Sequence, residues 1–282
     1  MRWFRSRVRR LRRIGVPALL SQAALLCIFF SASRAFAGPP FQTDDPVPVP
    51  FHHYEAYVFG TTDHSGGSTF SQGPAFEFNV GAAPNLQFHI VVPMAYLNPD
   101  NNFGAGDVEL GAKYRFIQET KHRPQVGAFP MIELPTGDSR RGLGNGRLWA
   151  KLPVWVQKSS GPWTTYGGVG YQINHAPEMK NSWFAGWLVQ RDLNKKLTLG
   201  TEVFSQQAQQ LGTRETTFID AGGYYNFTPN FQLLFMGGHT AAGDRHTVAY
   251  LGLYYTWGPK DDNSSESRLQ DDLFSRNQRS LR

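Results

Sequence analysis

Beyond its first 37 residues this chain has no cysteine, because the single cysteine is Cys27. A chain without cysteine has no disulfide to staple a small fold and no thiolate for catalysis or soft-metal binding. Cys27 itself does not fit lipid attachment, since a lipobox wants a small residue before the cysteine and Leu26 stands there. Long apolar runs are also missing. After residue 37 nothing approaches the ~18 consecutive apolar residues of a spanning helix, which excludes a helical membrane protein. Acidic residues are absent from residues 1–37, whereas eight of the chain's 28 Lys and Arg fall there, all arginine. That leaves 20 basic residues against 22 acidic ones, so the chain after residue 37 is near −2 rather than the formal +6. The basic character belongs to the leader and gives no argument for a nucleic-acid partner.

The leader has a recognisable order. Seven arginines within residues 1–14 precede an apolar stretch over 16–30, and Ala35-Phe36-Ala37 follows as a small-x-small cleavage site. This is a secretory signal peptide, removed to leave a mature start at Gly38. About 245 residues then remain, enough for one β domain with a large interior. With many glycines and aromatics and few plausible amphipathic helices, the exported chain reads as a β protein of the periplasm or the outer membrane.

Residues 107–116 carry the clearest pattern. Val108, Leu110, Ala112, Tyr114 and Phe116 alternate with Glu109, Gly111, Lys113 and Arg115. A period of two puts the apolar set on one face of a strand and the charged set on the other. Leu86 to Met94, Val126 to Leu134, Leu148 to Val156, Leu197 to Val203 and Ala249 to Trp257 repeat the alternation, and weaker strands are predicted near 52–62, 69–81, 163–173, 182–192, 215–227 and 231–241. The total is about twelve, each near the ~9–11 residues that a tilted strand needs to cross a bilayer.

Their connections alternate in length. Residues 82–85, 158–162, 192–195 and 228–230 are short turns, whereas 62–69, 97–106, 136–146, 174–181 and 207–214 are longer and more polar. Short periplasmic turns and long external loops are the habit of outer-membrane barrels. Closure also leaves no edge with unpaired backbone groups in lipid. The expected architecture is an all-β, antiparallel, up-and-down transmembrane barrel of about twelve strands. It comprises a signal peptide over 1–37, a periplasmic N-terminal segment over 38–51, the barrel over 52–259 and a flexible periplasmic tail over 260–282. Gly252, Tyr255 and Trp257 in the last strand have the glycine and aromatic spacing of an assembly signal read by the barrel assembly machinery.

One run is more specific than the alternation. Met131-Ile132-Glu133-Leu134-Pro135-Thr136-Gly137-Asp138 resembles a motif of the outer-membrane transporter family associated with the meta-pathway of phenol degradation. Residues 106–116, Gly144, Pro153-Val154-Trp155-Val156-Gln157-Lys158, Trp163 and Gly167-Gly168-Val169-Gly170-Tyr171 fit the same family. The resemblance covers most of residues 50–257. It implies a barrel channel for small, often aromatic or hydrophobic solutes.

Chemistry is sparse in this pattern. His52 and His53 are adjacent, so an extended backbone points them to opposite faces and they cannot jointly hold a metal. His64-Ser65 would suit a barrel lipase, a class that uses serine and histidine, but no partner is visible near them in sequence. Gly142 to Gly146 lacks the lysine of a phosphate loop and reads as external loop, with Arg140 and Arg141 solvated in it. The expected pore-lining residues are Glu109, Lys113, Arg115, Glu133, Lys151 and Glu202, either selecting solutes or filling the interior with ion pairs. Pro130 and Pro153 fall in neighbouring strands with no hydrogen to donate, which suggests a pair of bulges or a lateral gap. The sequence reading is therefore a non-enzymatic, monomeric outer-membrane channel without cofactor or metal. It contacts lipid and lipopolysaccharide and passes small solutes passively. A structural barrel with a plugged lumen and a barrel lipase are the rivals.

Overall fold

The computed structural model of the protein describes residues 40–259. The expected signal peptide and the expected tail lie outside the described residues. Fourteen strands are formed: β1 (Tyr54–Ser65), β2 (Ser68–Ala83), β3 (Leu86–Asn98), β4 (Asn102–Ala105), β5 (Val108–Ile117), β6 (Gln125–Ala128), β7 (Met131–Leu134), β8 (Trp149–Ser160), β9 (Trp163–Asn174), β10 (Ser182–Asp192), β11 (Leu197–Gln206), β12 (Thr216–Thr228), β13 (Phe231–Ala242) and β14 (His246–Trp257). Each pairs antiparallel with its neighbours, and β1 pairs with β14 along its whole length, from Tyr54 opposite Trp257 to Ser65 opposite His246. Two positions in the wall are split, into β4 with β5 and β6 with β7, so the closed barrel has twelve.

The faces follow the sequence period. Phe88, Tyr114, Phe116, Leu152 and Trp187 point outward and are about half exposed. Glu109, Lys113, Glu133, Lys151 and Glu202 point inward and are buried. This inside-out distribution is stable only where the outer face meets lipid. Aromatic rings gather on the outer face at the end where β1 begins and β14 ends. Trp257 stacks on Tyr54 at 5.6 Å and on Tyr255 at 5.7 Å. Amphipathic rings favour the depth where hydrocarbon gives way to headgroups. Tyr255 and Trp257 thus share an outer face, whereas Gly252 points inward against Phe59 and Tyr250.

Two connections differ from expectation. The predicted loop over 62–69 is a tight hairpin in which only Gly66 and Gly67 stand between the paired Ser65 and Ser68. Asp63, His64 and Ser65 are polar on both faces and hide the strand. The predicted loop over 97–106 contains β4.

The two strand breaks have different causes. Across Gly106-Asp107 the pairing with β3 slips by one residue, from Met94 opposite Ala105 to Val91 opposite Glu109, a bulge. Across Phe129-Pro130 the register does not slip. Ala128 faces Val154 and Met131 faces Lys151 on one side, and the pairing with β5 is equally regular. The prolines only remove donors. Phe129 N–H still donates to Pro153 O at 3.2 Å, and Ala112 N–H to Pro130 O at 3.1 Å. The wall here holds neither the bulge pair nor the opening anticipated for Pro130 and Pro153, but it has fewer bonds.

Candidate functional site

The barrel interior is the site, and its main occupant is residues 40–50. This segment, expected in the periplasm, lies inside the barrel with Phe41, Thr43, Asp44 and Val49 buried. Its backbone is held by side chains of the wall. Gln42 N–H donates to Glu202 Oε2 at 3.0 Å, and Thr43 N–H donates to Glu202 Oε1. Gln42 Nε2 donates to Asp220 Oδ2 at 2.9 Å, and Val49 N–H to Gln87 Oε1 at 2.9 Å. Lys113 Nζ donates to Asp44 Oδ1 at 3.0 Å. The wall also makes room for the segment. A Cβ on Gly186 would sit 1.9 Å from Thr43 Oγ1, and one on Gly81 would sit 1.9 Å from Pro50 O. These glycines are needed because the strap passes against the backbone there.

Glu202 and Asp220 face each other directly across β11 and β12. Two carboxylates side by side repel, and the strap's N–H groups and amide supply the donors that make the pair tolerable. Asp220 was not foreseen. Its signal was its place two residues from Phe218 on a strand whose alternation is weak.

The six expected interior groups separate into three places. Glu109 and Lys113 belong to one network. His89 Nε2 lies 3.0 Å from Glu109 Oε1, and His89 Nδ1 lies 3.0 Å from Asn79 Oδ1 and 3.4 Å from Glu77 Oε1. A cavity of about 190 Å³ opens beside these groups, lined by the strap and by Glu55, Tyr57, Glu109, Lys113 and Phe129. Glu133 faces Glu109 in register, and Lys151 lies on the next strand with its Nζ 5.2 Å from the Trp149 ring centre. Glu202 stands on the other side with the strap. Arg115 is at the end where β1 begins, where its guanidinium donates to Asn85 Oδ1 at 2.8 Å and to Gln125 Oε1 at 3.3 Å.

Much of the interior is aromatic. Phe41 of the strap packs in one buried cluster with Phe129, Trp155, Tyr166, Phe184, Phe204, Phe218 and Tyr250. Phe184 and Phe204 stack at 5.9 Å. The strand alternation had marked the polar inward positions and left these aromatic ones unremarked.

At the end opposite the start of β1, the motif around Glu133 builds a clamp. Asp107, set free by the bulge, accepts from Gly137 N–H at 2.7 Å and from Asn145 N–H at 2.5 Å. Thr136 Oγ1 accepts from Val108 N–H and donates to Gly106 O. Asp138 caps the short helical turn Ser139–Arg141. A Cβ on Gly144 would sit 2.4 Å from Asp107 Oδ1, so only glycine fits. The loop thereby seats Leu143 against Phe70, Ala95 and Leu97. Charge-assisted bonds contribute about 1.5–3 kcal/mol each. Asp107→Ala should loosen the loop that carries the exposed Arg140 and Arg141, so that trypsin cuts there at least about tenfold faster while the barrel stays folded. An unchanged digestion rate would mean the loop is held elsewhere.

The fold and interior define a closed, inside-out β-barrel of the outer-membrane channel type. The family described as "Putative MetA-pathway of phenol degradation" matches residues 59–257, and the chain belongs to it. Among solved structures, the COG4313 outer membrane channel from Pseudomonas putida F1 is similar at a TM-score of 0.60 and 16% identity, covering 78% of this chain and 100% of that one. The KdgM porin in complex with disordered oligogalacturonate aligns at 0.52 and 10% identity, over 72% and 99% of the two chains. The NanC porin aligns at 0.50 and 11%, over 71% and 98%. These likenesses establish the fold. No curated protein matches the chain.

Proposed function

We propose that this protein is a passive outer-membrane channel for small aromatic or hydrophobic solutes, closed in the described state by residues 40–50. The observation that carries the reading is the inward-facing aromatic cluster of Trp155, Phe184, Phe204 and Phe218. A porin for sugars and ions keeps its interior polar and water-filled. Rings turned inward suit apolar cargo, which gains burial from them. The strap's polar anchors favour a reversible plug, because hydrogen bonds to wall carboxylates exchange readily for water. The signal peptide and the outer face support an outer-membrane location, with lipid, lipopolysaccharide and the barrel assembly machinery as partners and a monomer as the working unit.

Uptake into liposomes tests the reading. Phenol or toluene should enter protein-loaded vesicles at least about tenfold faster than empty ones, with arabinose little changed. Sugar entry at the phenol rate would mark a general porin. Entry of neither would favour the rival reading, a structural barrel with a permanently filled lumen, which the seating of the strap also supports.

A further inference from the structure

A second cluster lies at the barrel mouth opposite the start of β1 and the end of β14, away from the strap. Asp63 and Ser65 are two residues apart on β1 and so share a face. Ser65 is the cross-strand partner of His246, the first residue of β14. Chain closure thus supplies the partner that His64-Ser65 lacks in sequence. Ser65 Oγ lies 3.4 Å from His246 Nε2, and His246 Nδ1 lies 2.8 Å from Asp63 Oδ1. The atoms stand in the order hydroxyl, imidazole, carboxylate. With the Nδ1 proton directed at the carboxylate, Nε2 is left as the base that faces the hydroxyl.

The surroundings suit a reaction. The His246 ring packs beside Phe218 at 5.9 Å, and its backbone N–H donates to Thr240 Oγ1 at 3.0 Å, so the ring is held in place. Asp63 and His246 side chains are 12% and 13% exposed, whereas Ser65 is half-buried and reachable. The turn after the serine is Gly66-Gly67, with φ of +59° and +82°, and nothing lies within 4 Å of where a side chain would project from either. Among the described residues neither glycine N–H donates to a backbone oxygen. Two unpaired N–H groups beside a nucleophile are the donors that a developing oxyanion needs. Below His246 the same face of β14 continues as Val248 and Tyr250, both buried, an apolar wall for the body of a substrate.

We propose that Ser65, His246 and Asp63 form a hydrolytic site for small apolar or aryl carboxylic esters at the barrel mouth, an activity beyond the channel reading and independent of it. Ser65 Oγ attacks the ester carbonyl carbon while its proton passes to His246 Nε2. The carbon–oxygen bond to the alcohol breaks, and the alcohol leaves with that proton. Water then attacks the acyl-serine with His246 again taking the proton, which returns to Ser65 Oγ as the carboxylic acid departs. Asp63 is a positioning residue that fixes the imidazole tautomer.

The test uses the purified mature protein in detergent with p-nitrophenyl butyrate, which needs no transport. Release of p-nitrophenolate is expected, with a loss of about 100-fold or more in Ser65→Ala and in His246→Gln. Asp63→Asn should lower kcat at a nearly constant KM, which a merely structural role would not do. A fluorophosphonate should label Ser65, read by mass spectrometry, and Ser68→Ala across the turn should keep the rate. Heat-dependent gel migration reports that each variant is a folded barrel. No hydrolysis by the folded protein, or equal hydrolysis by Ser65→Ala, would overturn the proposal. The second outcome would place the reaction on imidazole alone.

Discussion

Deleting residues 40–50 should raise the single-channel conductance of the barrel several-fold without unfolding it. The strap fills the lumen but contributes no strand, and the ladder from β1 round to β14 closes without it. Its removal leaves Glu202, Asp220 and Lys113 without their partners Gln42, Thr43 and Asp44. An unpaired buried charge is costly in a dry core. Here water enters the vacated space and solvates all three, so the penalty is small. Glu202→Gln is the milder version. It weakens two N–H bonds to the strap and should produce brief openings in the full-length protein. Planar-bilayer recordings check both variants. A deletion with unchanged conductance would mean that the strap is not what closes the lumen.

The second large effect concerns the outer face. Leu110 lies on that face between Ile90 of β3 and Ile132 of β7. Arginine at a lipid-facing midplane position costs about 2–4 kcal/mol. That is roughly a 30- to 900-fold loss in the folded-to-unfolded ratio. Leu110→Arg should therefore nearly abolish heat-resistant barrel in the membrane. Lys113→Ala, only three residues on, should assemble normally, because its side chain points inward to Asp44. Equal assembly of the two variants would place the register one residue away and exchange the faces.

Strand period alone made most of the wall legible. Glu109 and Lys113 against Leu110 and Phe116 is a pattern that only one facing satisfies, and the structure has that facing. The sequence could not disclose the strap. Residues 40–50 are rich in proline and form no strand, so they carry no period, and their partners Glu202 and Asp220 lie some 160 to 180 positions away. Interior aromatics were missed for a related reason. Phe129 and Trp155 are apolar residues on a face that was read as polar, and the period cannot distinguish a mixed face from a broken one. The prolines misled by a local rule applied without register. Pro130 and Pro153 remove one donor each, yet the neighbouring bonds from Phe129 and Ala112 keep the wall closed. The motif at Glu133 was recognised as a family signature before its physical reason was visible. That reason is Asp107, whose carboxylate leaves no space for a side chain at Gly144 and, together with Leu143 O, crowds Gly137.

The most direct test of the central claim is a reversible lock between strap and wall. With no cysteine after residue 37, Gln42→Cys with Asp220→Cys introduces two thiols where side chains of strap and wall meet, Gln42 Nε2 donating to Asp220 Oδ2 at 2.9 Å. A short bis-methanethiosulfonate joins the two thiols through reducible disulfides, and phenol uptake into liposomes is measured with the bridge in place and again after reduction. The account predicts little uptake in the bridged protein and restored uptake on reduction. Equal uptake in the two states would show that solute passes without moving the strap and would contradict it.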